Sequence, residues 1–274
     1  MSNKDRFISD KNTRNTQMHL PTCILFLTHF INQEVLDRFW LLHDSCGEAY
    51  DVYFALNDET GNDLACLHEY KTFTFTCDEI LSQGYTPHGN QVMHNVNYVM
   101  QLFRKRHPEY TYYWKVEYDV AFTGEWLTLF SYYEDNDADF ISSHIERYTK
   151  MNKVWHWWYD TDWKDTGITP SQCVKSFNPV VRISSKALDF MDSFLKRGIT
   201  GHFEVTEATA LFQNGFRLLD MGGTGKFSDP KIPNHFYVQG KGINAGTMRW
   251  RPEFLTAEVE AFAGTNKIFH PLKA

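Results

Sequence analysis

In the stretch YYWKVEYDVAFTGEW, two carboxylates, Glu117 and Asp119, follow directly on an apolar, strongly β-prone run. Side chains at i and i+2 on a strand project to the same side. The pair is therefore predicted to point together from the tip of a strand over 110–116 and to share one hard cation. Mg²⁺ or Mn²⁺ takes one or two carboxylates and fills its other positions with water and phosphate oxygens. Held there, such an ion acts as a Lewis acid on a departing diphosphate. A bare E-x-D pattern also describes any polar strand end, but a charged pair at the tip of an apolar central strand is otherwise costly.

Two further clusters carry chemistry. Trp155-His156-Trp157-Trp158-Tyr159 reads as a lid or platform on which a sugar stacks, with Trp155, Trp157 and Trp158 as acceptor contacts and at least one of them exposed. The plain alternative is an apolar cluster under a long loop. Met248-Arg249-Trp250-Arg251-Pro252 offers Arg249 or Arg251 as a clamp for phosphate or an acidic acceptor.

These residues need a frame. Residues 22–30, TCILFLTHF, form a nearly continuous apolar run suited to a strand covered on both faces. Asn32 is placed to cap a helix over 33–45 that Gly47 stops, and 50–56 make a second strand. Strand, helix, strand is the opening unit of a nucleotide-binding α/β layer. A third strand is expected over 71–77, a loop over 86–90, and an apolar helical stripe over 91–106. Beyond the Glu-Tyr-Asp segment, a helix over 125–134 and a strand over 139–144 are expected. Then follow a strand over 177–183, a helix over 184–196 ended by Gly198, and a helix over 204–214 stopped by Gly215. The last third is rich in Gly and Pro and is expected to be loops with short strands.

The layout over 22–145, together with TCILFLTHF, YDVYFALND and YYWKVEYDVAFTGEW, resembles the donor half of GT-A glycosyltransferases. It departs from their usual motif by carrying Glu in first position. The resemblance implies an α/β fold with a Rossmann-type central mixed sheet flanked by helices. It also implies one catalytic domain over 22–274 after a polar leader over 1–21, with 22–145 taking the nucleotide sugar and 146–274 the acceptor. By the same resemblance, Glu117 and Asp119 hold Mn²⁺ or Mg²⁺ and the donor diphosphate. His270 would be the third metal ligand and Lys273 a phosphate contact. Thr28, His29, Asn57 and Asp58 would contact the nucleotide of a UDP- or GDP-sugar, although simple loop polarity explains those four equally well. An inverting transfer to a glycan or polysaccharide needs a general base. The resemblance implies Glu204, or failing that Glu207, in GHFEVTE; both also suit a helix N-terminus by its dipole.

Composition narrows the alternatives. The 274 residues carry a net charge of −7, and the one short basic cluster is Arg104-Lys105-Arg106, so nucleic acid is not expected as a partner. Five scattered cysteines without a CxxC pair suit reduced thiols in a cytoplasmic setting. The polar leader has no apolar core of the kind a secretory signal needs, and no apolar run is long enough to span a bilayer. The protein is expected in the cytoplasm, or peripherally at a membrane surface. A sugar nucleotidyltransferase would want a Gly- and Arg-rich loop after the first strand, where this chain has Thr-His-Phe-Ile-Asn-Gln. A non-catalytic carbohydrate-binding protein would keep the aromatics without donor turnover. A serine hydrolase would want a G-x-S-x-G elbow, and none is present.

Overall fold

In the computed structural model, which describes residues 21–89, 92–242 and 244–273, the apolar run after the leader becomes strand β1 (Thr22–Thr28). The Asn32 side chain accepts from the Val35 amide and so caps helix α1 (Gln33–Cys46), which Gly47 follows. Next come β2 (Asp51–Asn57) and β3 (Lys71–Phe75). Directly after β3, Thr76 and Glu79 form a reciprocal capping box that starts a short helix, α2 (Cys77–Leu81). This helix takes over the end of the strand expected to reach 77. Helix α3 begins at Val96 and ends at Arg106, preceded by a single 3₁₀ turn at Val92–His94. The expected start at 91 and the loop residue 90 lie outside the described residues.

Strand β4 (Tyr112–Glu117) leads through a tight turn to the two-residue β5 (Ala121–Phe122) and to α4 (Trp126–Tyr132). Strands β6 (Phe140–Arg147) and β7 (Val174–Ser184) each run longer than their apolar cores suggested. Helices α5 (Ser185–Leu195) and α6 (Phe203–Gln213) follow, then β8 (Leu218–Asp220), α7 (Thr256–Glu260) and β9 (Ile268–Phe269).

Seven strands form one mixed sheet in the order β3-β2-β1-β4-β7-β6-β8. Pairing is parallel from β3 to β4 and between β6 and β8, and antiparallel on both sides of β7. Alternation sorts the strand side chains between two cores. Cys23, Leu25 and Leu27 join α3, α5 and α6 on one face, while Ile24 and Phe26 join α1 and α4 on the other. Coverage of both faces is why β1 reads as an unbroken apolar run. This is the mixed, helix-flanked α/β architecture the sequence implied. No described helix is long and apolar enough to cross a membrane.

One point of topology places the site. The chain leaves β1 toward β2 on one side, and β4 later takes the other side. In open α/β sheets, ligands bind beyond the carboxyl ends of strands at such a switch point. Register sets Leu27 of β1 opposite Glu117 of β4, and Thr28 opposite Leu56 of β2.

Candidate functional site

Glu117 is the last residue of β4, and Asp119 lies in the turn beyond it, closed by the Val120 amide donating to the Glu117 carbonyl. Strand alternation therefore does not align the two carboxylates as expected; the turn does. Immediately downstream, Ala121 and Phe122 pair antiparallel with Phe269 and Ile268. That small ladder carries His270 to Asp119, although the two are far apart in the chain. The Leu272 amide then donates to the Asp119 carbonyl. Arg38 of α1 fastens the arrangement by donating to the carbonyls of Tyr118 (3.1 Å) and Lys273 (2.8 Å).

Ligand atoms of Glu117, Asp119 and His270 lie within 4.8 Å of one another. His270 Nδ1 sits 2.9 Å from the Arg249 carbonyl, and Nε2 sits 3.5 Å from Asp119 Oδ2. A carbonyl only accepts, so Nδ1 carries a proton, while Nε2 faces the carboxylate. Ring-nitrogen fixing of this kind is typical of metal-ligating histidines. Asp119 Oδ1 is buried and finds no hydrogen-bond partner among the described residues. Burial pushes the Asp119 carboxyl up, His270 opposes this, and Glu117 adds to it. An orphaned buried oxygen beside an imidazole nitrogen and a second carboxylate fits a divalent cation, which would engage all three.

Behind Glu117 lies a charge that sequence reasoning missed. Lys115 is 2% exposed, and its ammonium stands 2.5 Å from Glu117 Oε1. It projects onto the same face as Glu117, toward α6, with Nζ 5.9 Å from the centre of the Phe203 ring. A lone Lys inside the apolar YYWKV run was the available signal. Lys115, Asn178, Phe203 and Glu207 line a narrow cavity between α3, α6 and the sheet.

Glu204 and Glu207 are both buried in the first turns of α6. The Asn178 amide donates to Glu204 Oε1 and its Nδ2 donates to Glu207 Oε2, each at 3.3 Å. Burial raises Glu204 to about 8, partly offset by the Asn178 amide and reinforced by Glu117. Burial raises Glu207 to about 7 against the pull of Lys115. Exposed helix-terminal carboxylates, the plain reading of GHFEVTE, would not be shifted in this way.

The other expected site residues are scattered around this centre. Thr28 is buried, and its hydroxyl donates to the Phe30 carbonyl; His29 is exposed, with its ring against Phe30 and Tyr118. Asn57 ends the neighbouring β2. The Asp58 carboxylate is engaged by its own loop, accepting from the amides of Thr60, Gly61 and Asn62. Lys273 is exposed beside the Asp119 turn. The Arg249 guanidinium stacks 3.5 Å from the centre of the Phe254 ring and donates from Nε to the Pro252 carbonyl.

The tryptophan run is not the exposed platform expected. Trp158 is 1% exposed, with its indole N–H donating to the Asn152 carbonyl, and Trp155 and Trp157 are partly buried against the core. Residues His156–Tyr159 coil into a 3₁₀ turn, which lays Trp157 face to face on His202 at 4.2 Å. The exposed members of the run are His156 and Tyr159.

A protein-family model described as "Protein of unknown function (DUF3405)" matches residues 63–136, a span that contains Glu117 and Asp119 but neither His270 nor Glu204. No curated protein matches the chain. Among solved structures, apo mouse xyloside xylosyltransferase 1 overlaps 72% of this chain and 82% of its own, at 11% identity and a TM-score of 0.40. The inositol-1-phosphate CTP transferase from T. maritima overlaps 75% and 87%, at 10% identity and a TM-score of 0.42. Core-mannan synthase A from Aspergillus fumigatus, in a Mn/GDP form, overlaps 76% and 74%, at 13% identity and a TM-score of 0.39. These overlaps are partial, and the reading of the site rests on its own side chains.

Proposed function

We propose that this chain is a GT-A-type glycosyltransferase that moves a sugar from a UDP- or GDP-sugar to a glycan or polysaccharide acceptor with inversion, assisted by Mn²⁺ or Mg²⁺. The observation that carries the reading is the convergence of Glu117, Asp119 and His270 beyond the switch point between β1 and β4. A cation held by these three would offset negative charge on the leaving nucleoside diphosphate. Thr28, His29 and Asn57, at the carboxyl ends of β1 and β2, face the nucleotide, with Asp58 shaping the loop beside them. Lys273 stands at the rim for the diphosphate. Residues 22–145 supply most of the donor side and 146–274 the acceptor side, with His270 crossing from the second to the first. Arg249 and the edges of Trp155 and Trp157 border the acceptor, and the working place is the cytoplasm or a membrane surface.

Glu204 takes the proton from the attacking acceptor hydroxyl, and Glu207 holds Asn178 in place behind it. With Glu204 raised to about 8, its carboxylate is a stronger base than an exposed glutamate and is scarce at lower pH, so transfer should quicken as pH rises toward 8. The deciding experiment is a thermal-shift panel of UDP-, GDP- and CMP-sugars with and without Mn²⁺, followed by product analysis on the nucleotide that stabilises. Metal-dependent stabilisation by one nucleotide class, lost in Asp119→Asn, and release of a nucleoside diphosphate are expected. Stabilisation that ignores both metal and Asp119, or release of pyrophosphate, would defeat the reading.

A further inference from the structure

Strand β6 slips its register against β7 twice, between Ile141 and Ser143 and again between Ser143 and Glu146. Inside this bulge His144 stands at φ +50°, a backbone conformation that is unfavourable for a residue carrying a Cβ. The two amides that the bulge leaves out of the ladder are taken up by a buried latch. The His144 amide donates to the Tyr237 hydroxyl at 2.9 Å, and the Ile145 amide donates to Asp220 Oδ2 at 2.8 Å. The Tyr237 hydroxyl donates in turn to Asp220 Oδ1 at 2.9 Å. A Cβ on Gly223 would stand 2.5 Å from that hydroxyl, so the latch closes only against glycine.

The bulge aims the His144 ring at the segment 247–249. Its Nε2 lies 2.8 Å from the Met248 carbonyl, and a carbonyl only accepts, so Nε2 carries a proton. The same segment grips His270 on three sides. The Arg249 amide donates to the His270 carbonyl at 3.1 Å, the His270 amide donates to the Thr247 carbonyl at 2.9 Å, and the Arg249 carbonyl meets His270 Nδ1 at 2.9 Å. Thr247 is tied back to Val238, the neighbour of Tyr237, by two hydrogen bonds of 3.0 Å. A second path runs through ring contacts: the His144 centre lies 6.0 Å from that of Phe177, and Phe177 lies 5.1 Å from His270.

We propose that His144 is a positioning residue for the metal ligand His270, acting through the Met248 and Arg249 carbonyls. The inference rests on the metal centre of Glu117, Asp119 and His270 proposed above. Backbone strain persists where the surroundings over-determine it and gathers at functional sites; here Tyr237 and Asp220 impose it. His144, Tyr237, Met248 and His270 are all buried, so water is poorly placed to replace the imidazole donor at the Met248 carbonyl. Without that donor the segment 247–249 can shift, and the Arg249 carbonyl no longer fixes the His270 ring for an incoming ion.

The test is Mn²⁺ binding to the full chain, read as loss of the six-line EPR signal of the free ion, with thermal unfolding of the metal-free protein alongside. His144→Phe keeps a flat ring beside Tyr237 and a Cβ at φ +50° but has no N–H. His144→Gln can bring its amide nitrogen near the place of Nε2. Affinity for Mn²⁺ should fall about 10-fold in His144→Phe, the low end of the effect of groups behind a metal ligand, because His144 acts one peptide further back. It should be largely restored in His144→Gln. His144→Gly, which relieves the backbone yet also lacks the donor, should lose the same affinity and decides the matter if His144→Phe does not fold. Leu188→Ala, which opens a cavity under α5, should lower Tm and leave Mn²⁺ affinity unchanged. Wild-type affinity in His144→Phe or His144→Gly, or an equal loss in His144→Gln, would overturn this proposal alone. Wild-type protein that binds no Mn²⁺, or binds it as well in Asp119→Asn, would overturn the metal centre and this proposal with it.

Discussion

Glu204→Gln is a perturbation whose effect on stability has a sign and a size. Glu204 has its ordinary value of 4.5 raised to about 8, chiefly by burial. Its protonated form is thus favoured in the folded state. The stability this gives is full below about 4.5 and drains as pH rises through 8, because the unfolded chain sheds the proton first. A difference from 4.5 to about 8, at about 1.36 kcal/mol per unit, amounts to roughly 5 kcal/mol above pH 8 and roughly 3 kcal/mol at pH 7. Glutamine keeps the shape and can still accept from the Asn178 amide but never ionises. Urea unfolding of both proteins from pH 4 to 9 should show equal stability near pH 4. The variant should gain ground through neutrality, with a constant lead above pH 8. The same variant should lose about 10²–10⁴-fold in transfer rate if Glu204 is the base. Parallel stability curves across the whole range would refute the claim that burial of this carboxylate is what holds its proton.

Three other changes probe the surroundings. Lys115→Met strands Glu117 beside buried carboxylates and should destabilise the fold by about 3–5 kcal/mol in calorimetry or urea titration. His270→Ala should abolish metal-dependent stabilisation by nucleotide in a thermal-shift assay, and, because the ring is buried against Phe177 and its Nδ1 holds the Arg249 carbonyl, it should also lower ligand-free stability by roughly 1–3 kcal/mol. Trp158→Ala should cost about 3–5 kcal/mol in Tm-based or urea measurements, because the side chain is fully enclosed. A small effect there would return this residue to the surface role first expected of it.

What the sequence disclosed and what it concealed follow from the range of the interactions. β1, β2 and α1 were readable because an unbroken apolar run, an Asn cap and a Gly stop are local signals. Helix α2 was equally local, written as Thr76-x-x-Glu79, and was overlooked because the preceding alternation looked like strand. The β5–β9 ladder is two residues on each side and joins distant segments, so nothing local announces it. His270 came into view through resemblance to a family, not through the chain's own pattern. The tryptophans misled for a related reason: a short loop alone cannot cover three indoles, but α6 and the Asn152 carbonyl, remote or unpatterned in sequence, can.

The charge arrangement explains why one small region can do two kinds of work. Four carboxylates, Glu117, Asp119, Glu204 and Glu207, share this region with two buried ammoniums, Lys115 and Lys175. Low-dielectric surroundings disfavour that excess of negative charge, and the fold divides it. Glu117 pairs with Lys115, and Asp119 faces His270, which opposes the upward push of burial on that carboxyl. Glu204 and Glu207 have mainly Asn178 for company and hold their protons toward neutral pH. Carboxylates driven apart by environment can take different roles in one reaction. The division comes from which strand or helix each side chain hangs on, and it is this, more than the E-x-D pattern, that makes a site out of a polar strand end.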